Sequence, residues 1–410
     1  MADIILFILI ALALAYFLSE IFRFFRLPRV LGQILAGIIL GLPMLKNMLL
    51  TEDVLSKFSF IPSIGIILLF FFIGLEINLR QFKKNFKETS LIAFFNTLIP
   101  LTIGFIAGKF LFGLNNITSL IIGISVSVSS QAISLDLLEE LRLLKSKISN
   151  LIISSGAVDD VFELLLISFI LVIFHSTAFG PLSYQKLIFD ILVFVFAVII
   201  FKLIIIPFAL KVFEKENSRS ALFMGTLVIV LLMAYISEIL GIGSLIGALI
   251  AGMLVRHTLL TGEERKPWRK NEISHLIHVV SFGFLIPLFF VSVGINMNLN
   301  TLSSNLFLVF ILLTIDILGT LIGTIIGVLL SKGTFAEGLI VGFGVIPKGD
   351  TELVIATLAL NSGLISVDIF TAIIAVAVIS TFLAPVIFNL LIQKFHHKFF
   401  ANQKLAKNSQ

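Results

Sequence analysis

The sequence predicts an all-α protein that crosses a lipid bilayer about thirteen times. Composition is the first observation: of the 410 residues, 58% are hydrophobic and 13% are charged, whereas about 25% are charged in an ordinary soluble domain. Second, apolar stretches of about 20 residues, long enough to cross a hydrocarbon core of about 30 Å, recur along the chain. Third, the basic residues are concentrated in every second loop between these stretches.

Thirteen apolar stretches give the predicted spans. Their approximate limits are residues 2–22, 30–46, 58–78, 90–113, 117–141, 146–175, 187–213, 220–239, 243–256, 273–297, 304–330, 335–361 and 368–393. The first has no basic segment before it and no small-residue cleavage pattern after it, so we expect it to be retained as a span. The ninth is the shortest and therefore the least typical of a span.

The loop charges orient the chain in the membrane, because lysine and arginine favour cytoplasmic loops. The loops after even-numbered spans hold only Lys46, Lys57, Lys109 and Lys186, whereas most other basic residues follow odd-numbered spans. We therefore expect a multi-pass plasma-membrane protein with its N-terminus outside and its C-terminus in the cytoplasm. Because the net charge of +5 is divided among loops, we do not expect a nucleic-acid partner.

The loops are too short for a further domain. The longest soluble loop covers residues 256–274, and about sixteen residues follow Lys394. We therefore expect one transmembrane domain over residues 1–410, without a soluble regulatory domain. The chain has no cysteine, which excludes disulfides, thiol nucleophiles and cysteine-ligated metals. We expect no cofactor.

Two short motifs occur twice, which predicts an internal duplication. Residues 32–37 (Gly-Gln-Ile-Leu-Ala-Gly) resemble residues 247–252 (Gly-Ala-Leu-Ile-Ala-Gly), and residues 71–78 resemble residues 289–296. The offsets are similar, about 215 and 218 residues. Because seven spans separate the copies, they have opposite orientations in the membrane, as in transporters with inverted repeats. We place the repeats at about 27–180 and 242–395; chance similarity of short apolar strings is the alternative.

Two spans at corresponding positions of these repeats are expected to break, as crossed broken helices. The twelfth span contains Gly342, Gly344, Pro347 and Gly349, and a proline inside a helix removes a backbone hydrogen bond and clashes with the preceding turn. In the fifth span, residues 123–130 are mostly serine and β-branched residues, which weaken a helix. Such paired breaks indicate a transporter's binding site. Packing of small residues between helices is the alternative.

Adjacent aspartates, Asp159 and Asp160, lie in the otherwise apolar sixth span. A carboxylate near the bilayer centre costs at least about 2.5 kcal/mol, so we expect a cation or a proton to compensate its charge. Glu163 falls on nearly the same helix face as Asp159, whereas Asp160 lies about 100° away. Hydroxyls of Ser129 and Ser130 and the carbonyls of the broken fifth span would add oxygen ligands. The alternative is a structural ion pair with a buried base.

Further charged residues lie near the predicted break of the twelfth span. Lys348 and Glu352 are four residues apart, with Asp350 between them. Because helix ends carry partial charges, we expect these three side chains to offset the exposed dipoles of the crossing rather than to bind the ion directly. Asp316, deep in the eleventh span, is a further candidate for the same site.

These stretches resemble the cation:proton antiporter 2 family, the monovalent sodium/proton and potassium/proton exchangers. The matching segments are Leu27–Gly41, Phe72–Glu76, the paired aspartates in Ala157–Asp160, and Gly344–Asp350, where Lys348 and Asp350 stand for the family's Arg and Glu. The resemblance implies a 13-helix fold with interleaved dimerisation and core subdomains, in which the core moves as an elevator. It also implies a homodimer.

The resemblance assigns roles to individual residues. Asp160 is implied to be the main ion- and proton-carrying carboxylate, with Asp159 beside it and Na⁺ bound at both. Ser129 and Ser130 match a Thr-Ser pair in the family's first broken helix. Electrogenic members place a lysine in the eleventh span, where this chain has Thr320. Asp159 therefore lacks the partner that the family provides, and Glu163 replaces a residue that is normally small.

The residues favour a transporter over an enzyme. An intramembrane aspartyl protease would need a Gly-x-Gly-Asp motif, which residues 347–350 do not supply. A channel would need a selectivity-filter motif, and none is present. We therefore expect a sodium/proton antiporter in which the cation and the proton compete for the paired aspartates. A potassium/proton antiporter and a sodium-coupled solute symporter of the same fold are the alternatives.

Overall fold

The computed structural model describes residues 2–25, 27–76, 86–130, 133–134, 138, 141, 143, 146–156, 158–159, 162–163, 166, 184–208, 219–261 and 267–399. Asp160 lies outside the described residues. Of Asp350, only the backbone is described.

The secondary structure of the described residues is helical throughout. The helices are α1 Ala2–Phe24, α2 Arg29–Leu40, α3 Pro43–Leu49, α4 Glu52–Phe58, α5 Phe60–Glu76, α6 Phe86–Ile106, α7 Asn116–Ser127, α8 Tyr184–Ile200, α9 Arg219–Ile239, α10 Ser244–Thr261, α11 Pro267–Val280, α12 Ile286–Asn296, α13 Leu299–Ser304, α14 Leu306–Thr314, α15 Thr320–Leu330, α16 Phe335–Val345, α17 Asp350–Asn361 and α18 Val367–Phe399. Residues 147–156 are also helical.

Four helices run directly into a π-helical turn. These turns are Ala107–Leu111 after α6, Phe201–Ile205 after α8, Ser281–Leu285 between α11 and α12, and Ile315–Gly319 between α14 and α15. Single π-helical turns occur often at functional sites. The last of the four carries Asp316.

The helices agree with the expected all-α membrane architecture. Within the described ranges, six helical runs are long and apolar enough to cross a membrane: Asp3–Phe24, Glu52–Leu75, Lys87–Leu111, Ser274–Asn296, Leu306–Leu330 and Val367–Phe395. The pair α2 and α3 makes a seventh if its 80° bend is counted within one span. Shorter apolar helices overlap the fifth, seventh, eighth, ninth and twelfth predicted spans, and the total of about thirteen remains a prediction.

The bend between α2 and α3 lies inside the predicted second span, 30–46. Pro43 is the first residue of α3, and Leu42 before it has an extended backbone, with φ −60° and ψ 139°. A residue that precedes proline disfavours the helical conformation, whereas proline itself fits the first position of a helix. The local sequence therefore ends one helix and begins another.

The chain folds into two compact units. The first unit comprises Met1–Leu18, Gly32–Ile77 and Ile167–Ile295. Inside it, α2 packs against α12 where Gly37 meets Gly294: a Cβ on Gly37 would lie 2.1 Å from the Val291 carbonyl oxygen. Similarly, α10 packs against α5 where Gly252 meets Gly74. Glycine is needed at these positions because the backbones approach too closely for any side chain.

The second unit comprises Ser19–Leu31, Asn78–Leu166 and Asn296–Gln410. One apolar cluster of this unit joins residues from α6, the helical segment 147–156, α16 and α18, among them Ile92, Ile152, Ile340 and Phe388. Helix α15 lies close against α6, since a Cβ on Gly323 would lie 2.2 Å from the Phe95 carbonyl oxygen. This approach brings polar side chains of the two helices within hydrogen-bonding distance.

Candidate functional site

Two interrupted helices of the second unit meet at their breaks. Helix α7 ends at Ser127 and is followed by non-helical residues 128–130. Helix α16 ends at Val345, and residues 346–349 are non-helical before α17 begins. The Ser130 backbone N–H donates a hydrogen bond of 2.8 Å to the Pro347 carbonyl oxygen. The helices therefore break where the Ser/Val and Gly/Pro sequences predict, and the two breaks touch.

Gly349 allows this close approach. A Cβ at position 349 would lie 2.3 Å from Ser130 Oγ and 2.6 Å from Ser130 Cβ, both shorter than van der Waals contact. A larger residue would separate the breaks, so the Pro-Lys-Gly sequence both interrupts the helix and leaves room for the crossing.

Asp159 is buried beside the first break and accepts hydrogen bonds from three neutral side chains. Ser129 Oγ donates to Oδ2 at 2.6 Å, Asn96 Nδ2 donates to the same oxygen at 3.2 Å, and Thr97 Oγ1 donates to Oδ1. Hydrogen bonds to a charged acceptor are about twice as strong as neutral ones. This carboxylate is therefore fixed in position by dipoles, without a basic side chain among the described donors.

Asn96 and Thr97 on α6 were missed by the sequence reasoning. Asn96 is itself held in place, because its Oδ1 accepts a 3.1 Å hydrogen bond from Thr324 Oγ1 on α15. The available signal was an amide and a hydroxyl in the apolar stretch Leu91–Pro100. Asparagine and threonine side chains inside a membrane span often form hydrogen bonds across helices.

Glu163 is also buried and contacts the same serine. Its Oε1 accepts a 2.7 Å hydrogen bond from the Ser129 backbone N–H. Because Ser129 lies outside a helix, this N–H has no partner one turn earlier, and the carboxylate satisfies it. Ser129 thus links two carboxylates, Glu163 through its backbone and Asp159 through its hydroxyl.

Lys348 lies at the second break, and its side chain is fully buried. Its Nζ donates to the carbonyl oxygens of Val126, at 2.9 Å, and Val128. These carbonyls belong to the C-terminal end of α7 and the break that follows, where a helix carries partial negative charge. The positive charge of Lys348 therefore lies at the end of α7 that carries the partial negative charge.

The direct ion-pair partner of Lys348 is Asp316, on the π-helical turn before α15. Asp316 Oδ1 lies 2.9 Å from Lys348 Nζ, and both side chains are fully buried. The Lys348 backbone is fixed as well, because its N–H donates to Thr381 Oγ1 at 3.0 Å and its carbonyl accepts from the same hydroxyl at 2.9 Å. Sequence spacing gave no indication of either contact.

Glu352 and Thr320 are also buried. The two carboxylate oxygens of Glu352 have no hydrogen-bond partner within the described part of the chain. The same holds for the Thr320 hydroxyl. Lys348 and Asp316 both act electrostatically on Glu352. The Lys348 ion pair is made with Asp316 on a different helix, rather than with Glu352 four residues away.

The second unit therefore contains every predicted site residue that the structure describes. Ser129 and Ser130 belong to the first break, and Asp159 and Glu163 contact Ser129 from another segment. Lys348 belongs to the second break, where it pairs with Asp316 and acts electrostatically on Glu352. Lys348 connects the two, since it contacts carbonyls of the first break from its place in the second. The predicted roles of Asp160 and of the Asp350 side chain fall outside what the structure describes.

Comparison with known proteins agrees with this architecture. The chain is 31% identical to a Na⁺/H⁺ antiporter of Enterococcus hirae over 387 residues, which are 94% of this chain and 96% of that protein. It is 26% identical to the Na⁺/H⁺-K⁺ antiporter GerN of Bacillus cereus, over 87% of this chain and 88% of the relative. Its fold is similar to that of the sodium proton antiporter MjNhaP1 from Methanocaldococcus jannaschii, with a TM-score of 0.68 and 18% identity over 96% of both chains.

A family model describes nearly the whole chain. The model for the transmembrane sodium/hydrogen exchanger matches residues 8–394, which include both breaks and every residue of the candidate site. The chain belongs to the sodium/hydrogen exchanger family.

Proposed function

We propose that this protein exchanges Na⁺ for protons across the membrane, with the two ions competing for the carboxylates of Asp159 and Asp160. The observation that carries the proposal is the setting of Asp159. It is a buried carboxylate, held by neutral donors beside two crossed helix breaks. Together with the antiporters among the relatives, this setting supports cation/proton antiport.

The competition follows from the charge of the site. Hydrogen bonds from Ser129, Asn96 and Thr97 orient Asp159 but leave its negative charge in place. A buried charge needs a compensating charge, and a sodium ion or a proton supplies one. Na⁺ with its oxygen ligands excludes the proton from the carboxylate, and a proton removes the charge that attracts Na⁺. By family resemblance, Asp160 is the main carrier.

We also propose that the site moves as part of a rigid body in an elevator mechanism. The support is that the described site residues all belong to the second unit, whereas the first unit contributes none of them.

The proposed inverted repeat is supported by the glycine contacts between helices. The segments that it pairs, α2 with α10 and α5 with α12, make equivalent glycine contacts: α2 with α12, and α10 with α5. A homodimer, the plasma-membrane location and the orientation of the termini remain proposals.

A K⁺/H⁺ exchanger is the second candidate. The relative GerN is named for Na⁺/H⁺-K⁺ antiport, and hydroxyl and carboxylate ligands accept either cation. A sodium-coupled solute symporter has no comparable support among these relatives.

Reconstitution in proteoliposomes tests the proposal. An imposed Na⁺ gradient should drive protons in the opposite direction, and Asp160→Asn should abolish this flux. The matched control is Asp53→Asn on α4, whose side chain is 69% exposed and pairs with Lys57; it should leave exchange unchanged. Exchange that persists in Asp160→Asn would contradict the site assignment. A wild-type protein that moves no protons in a gradient of Na⁺, Li⁺ or K⁺ would contradict the function.

A further inference from the structure

Glu352 is a buried carboxyl group that the proposed exchange does not use. Glu352 is fully buried, and its two carboxylate oxygens lack a hydrogen-bond partner among the described residues. An ionised carboxylate without hydrogen bonds is costly to bury. A carboxylic acid, in contrast, carries no net charge and needs fewer partners.

Helix capping does not account for Glu352. It occupies the third position of α17, where an acidic side chain can turn back to bond a free backbone N–H. No such bond forms with the described N–H groups, since both oxygens lack partners there. Glu352 therefore does not cap α17 through any backbone N–H group that the structure describes.

The charges around Glu352 are few. Among the described residues, Lys348 and Asp316 act on it electrostatically. Of the helices packed against α17, α7 carries no ionisable side chain, and α18 carries its own only near its two ends. Lys348 is thus the nearby positive charge in the described structure, and it is already paired with Asp316 at 2.9 Å.

One lysine therefore serves several carboxyl groups, because Asp316, Glu352 and Glu163 all act on it electrostatically. When Lys348 neutralises Asp316, a charge on Glu352 would be uncompensated in the protein interior. A proton on Glu352 removes this cost. When the proton leaves, the positive charge of Lys348 attracts the Glu352 carboxylate as well as that of Asp316.

We propose that Glu352 is a second proton-binding group of the exchanger, separate from the paired aspartates. Its carboxyl group is protonated while the cation site is empty. Cation binding adds one positive charge to the buried site, and the O–H bond of Glu352 then breaks, so that one proton leaves for the aqueous side and the carboxylate interacts with Lys348. The inference rests on the proposed antiport and adds one proton to each cation bound.

Proton release on cation binding tests this inference. Purified protein in weakly buffered detergent solution is mixed with NaCl, and the protons released per molecule are counted with a pH indicator. Glu352→Gln should release one proton fewer than the wild-type protein, and its H⁺ to Na⁺ coupling ratio in proteoliposomes should fall by one. Glu352→Asp, which keeps a carboxyl group, should restore the count. Glu52→Gln on the exposed start of α4 is the matched control and should match the wild type.

The outcomes separate this inference from the proposed function. If the wild-type protein neither releases protons nor exchanges with Na⁺, Li⁺ or K⁺, the antiport itself is wrong. If the wild type exchanges and Glu352→Gln releases as many protons at the same coupling ratio, Glu352 is not a proton-binding group. If Glu352→Gln binds one ²²Na⁺ fewer than the wild type but releases the same number of protons, Glu352 binds a cation and the proposal is wrong.

A second measurement covers the case in which Glu352→Gln does not fold. Infrared difference spectra of the wild type with and without Na⁺ should show loss of a protonated carboxyl C=O band. Glu352→Asp should shift that band. If no protonated carboxyl band responds to both Na⁺ and this substitution, the proposal is wrong.

Discussion

Two groups of buried carboxylates in the second unit are stabilised in different ways. At the first break, Asp159 accepts hydrogen bonds from the neutral side chains of Ser129, Asn96 and Thr97, and Glu163 accepts one from the Ser129 backbone N–H. At the second, Asp316 and Glu352 depend on the single charge of Lys348. Neutral donors orient a carboxylate and leave its charge available to a transported ion. Lys348 acts on the first group through electrostatics alone, whereas it forms a direct ion pair with Asp316 in the second. In the proposed exchange, the first group binds the cation, whereas the second stabilises the crossing and exchanges a proton.

The largest expected effect is the loss of Lys348. Lys348→Met leaves Asp316 without its partner and removes the donor to the Val126 and Val128 carbonyls. Removing one member of a buried pair costs about 3–5 kcal/mol. Thermal unfolding in detergent should show this loss of stability, and proteoliposomes should show no exchange.

Two further variants sharpen that prediction. Lys57→Met breaks an exposed pair with Asp53 and should cost less than about 1 kcal/mol. Adding Asp316→Asn to Lys348→Met should recover part of the lost stability, because the uncompensated charge is removed. If Lys348→Met unfolds at the wild-type temperature, the lysine does not hold the crossing together.

The next effect tests the contact between the two breaks. Gly349→Ala places a Cβ 2.3 Å from Ser130 Oγ, so the breaks must separate, at a cost of about 1–3 kcal/mol for overpacking. Exchange in proteoliposomes should slow, and Ser130→Gly in the same chain should restore part of the rate. Gly283→Ala, where a Cβ would meet nothing within 4 Å, is the control. Equal rates in Gly349→Ala and Gly283→Ala would argue against a close crossing.

A smaller and more specific effect is expected at Ser129. Ser129→Ala removes the hydroxyl that donates to Asp159 and keeps the backbone N–H that donates to Glu163. A hydrogen bond to a charged group contributes about 1.5–3 kcal/mol, and about 1.4 kcal/mol is tenfold in affinity. The apparent KM for Na⁺ should rise by about tenfold or more. Ser127→Ala, whose hydroxyl bonds a carbonyl of its own helix, should change KM little; similar values in both variants would contradict a special role for Ser129.

The smallest effect lies one contact further from the carboxylate. Thr324→Val removes the 3.1 Å hydrogen bond to Asn96 and keeps the shape of the side chain. A neutral hydrogen bond contributes about 0.5–1.5 kcal/mol, so KM for Na⁺ should change less than in Ser129→Ala. An effect as large as that of Ser129→Ala would mean that Asn96, rather than Ser129, dominates the orientation of Asp159.

The features that the sequence predicted correctly depend on local chemistry. Apolar length predicts the spans, and the all-α membrane fold and the family are confirmed. The positions of Pro347 and Gly349 predict a helix break, because a proline inside a helix disrupts hydrogen bonding whatever surrounds it. The 80° bend at Pro43 is equally local, although the predicted second span ran across it.

The contacts that the sequence could not supply join residues that are far apart in the chain. Asn96 and Asp159 are 63 residues apart, and Lys348 and Val126 are 222 apart. Sequence spacing gives Lys348 a partner on its own helix, but tertiary packing brings Asp316 closer. Likewise, the described hydrogen-bond donors to Asp159 are neutral side chains that no spacing rule connects to it.

Competition between Na⁺ and protons is the central claim, and the pH dependence of the apparent KM for Na⁺ tests it most directly. Exchange is measured in wild-type proteoliposomes with the external pH varied and the maximal rate determined at each value. Because linkage is reciprocal, the apparent KM should rise as the pH falls, with the maximal rate unchanged. The rise should approach about tenfold per pH unit for each competing proton once the carboxyl group is mostly protonated. A KM that stays constant across pH while the maximal rate falls would contradict competition at a shared carboxylate site.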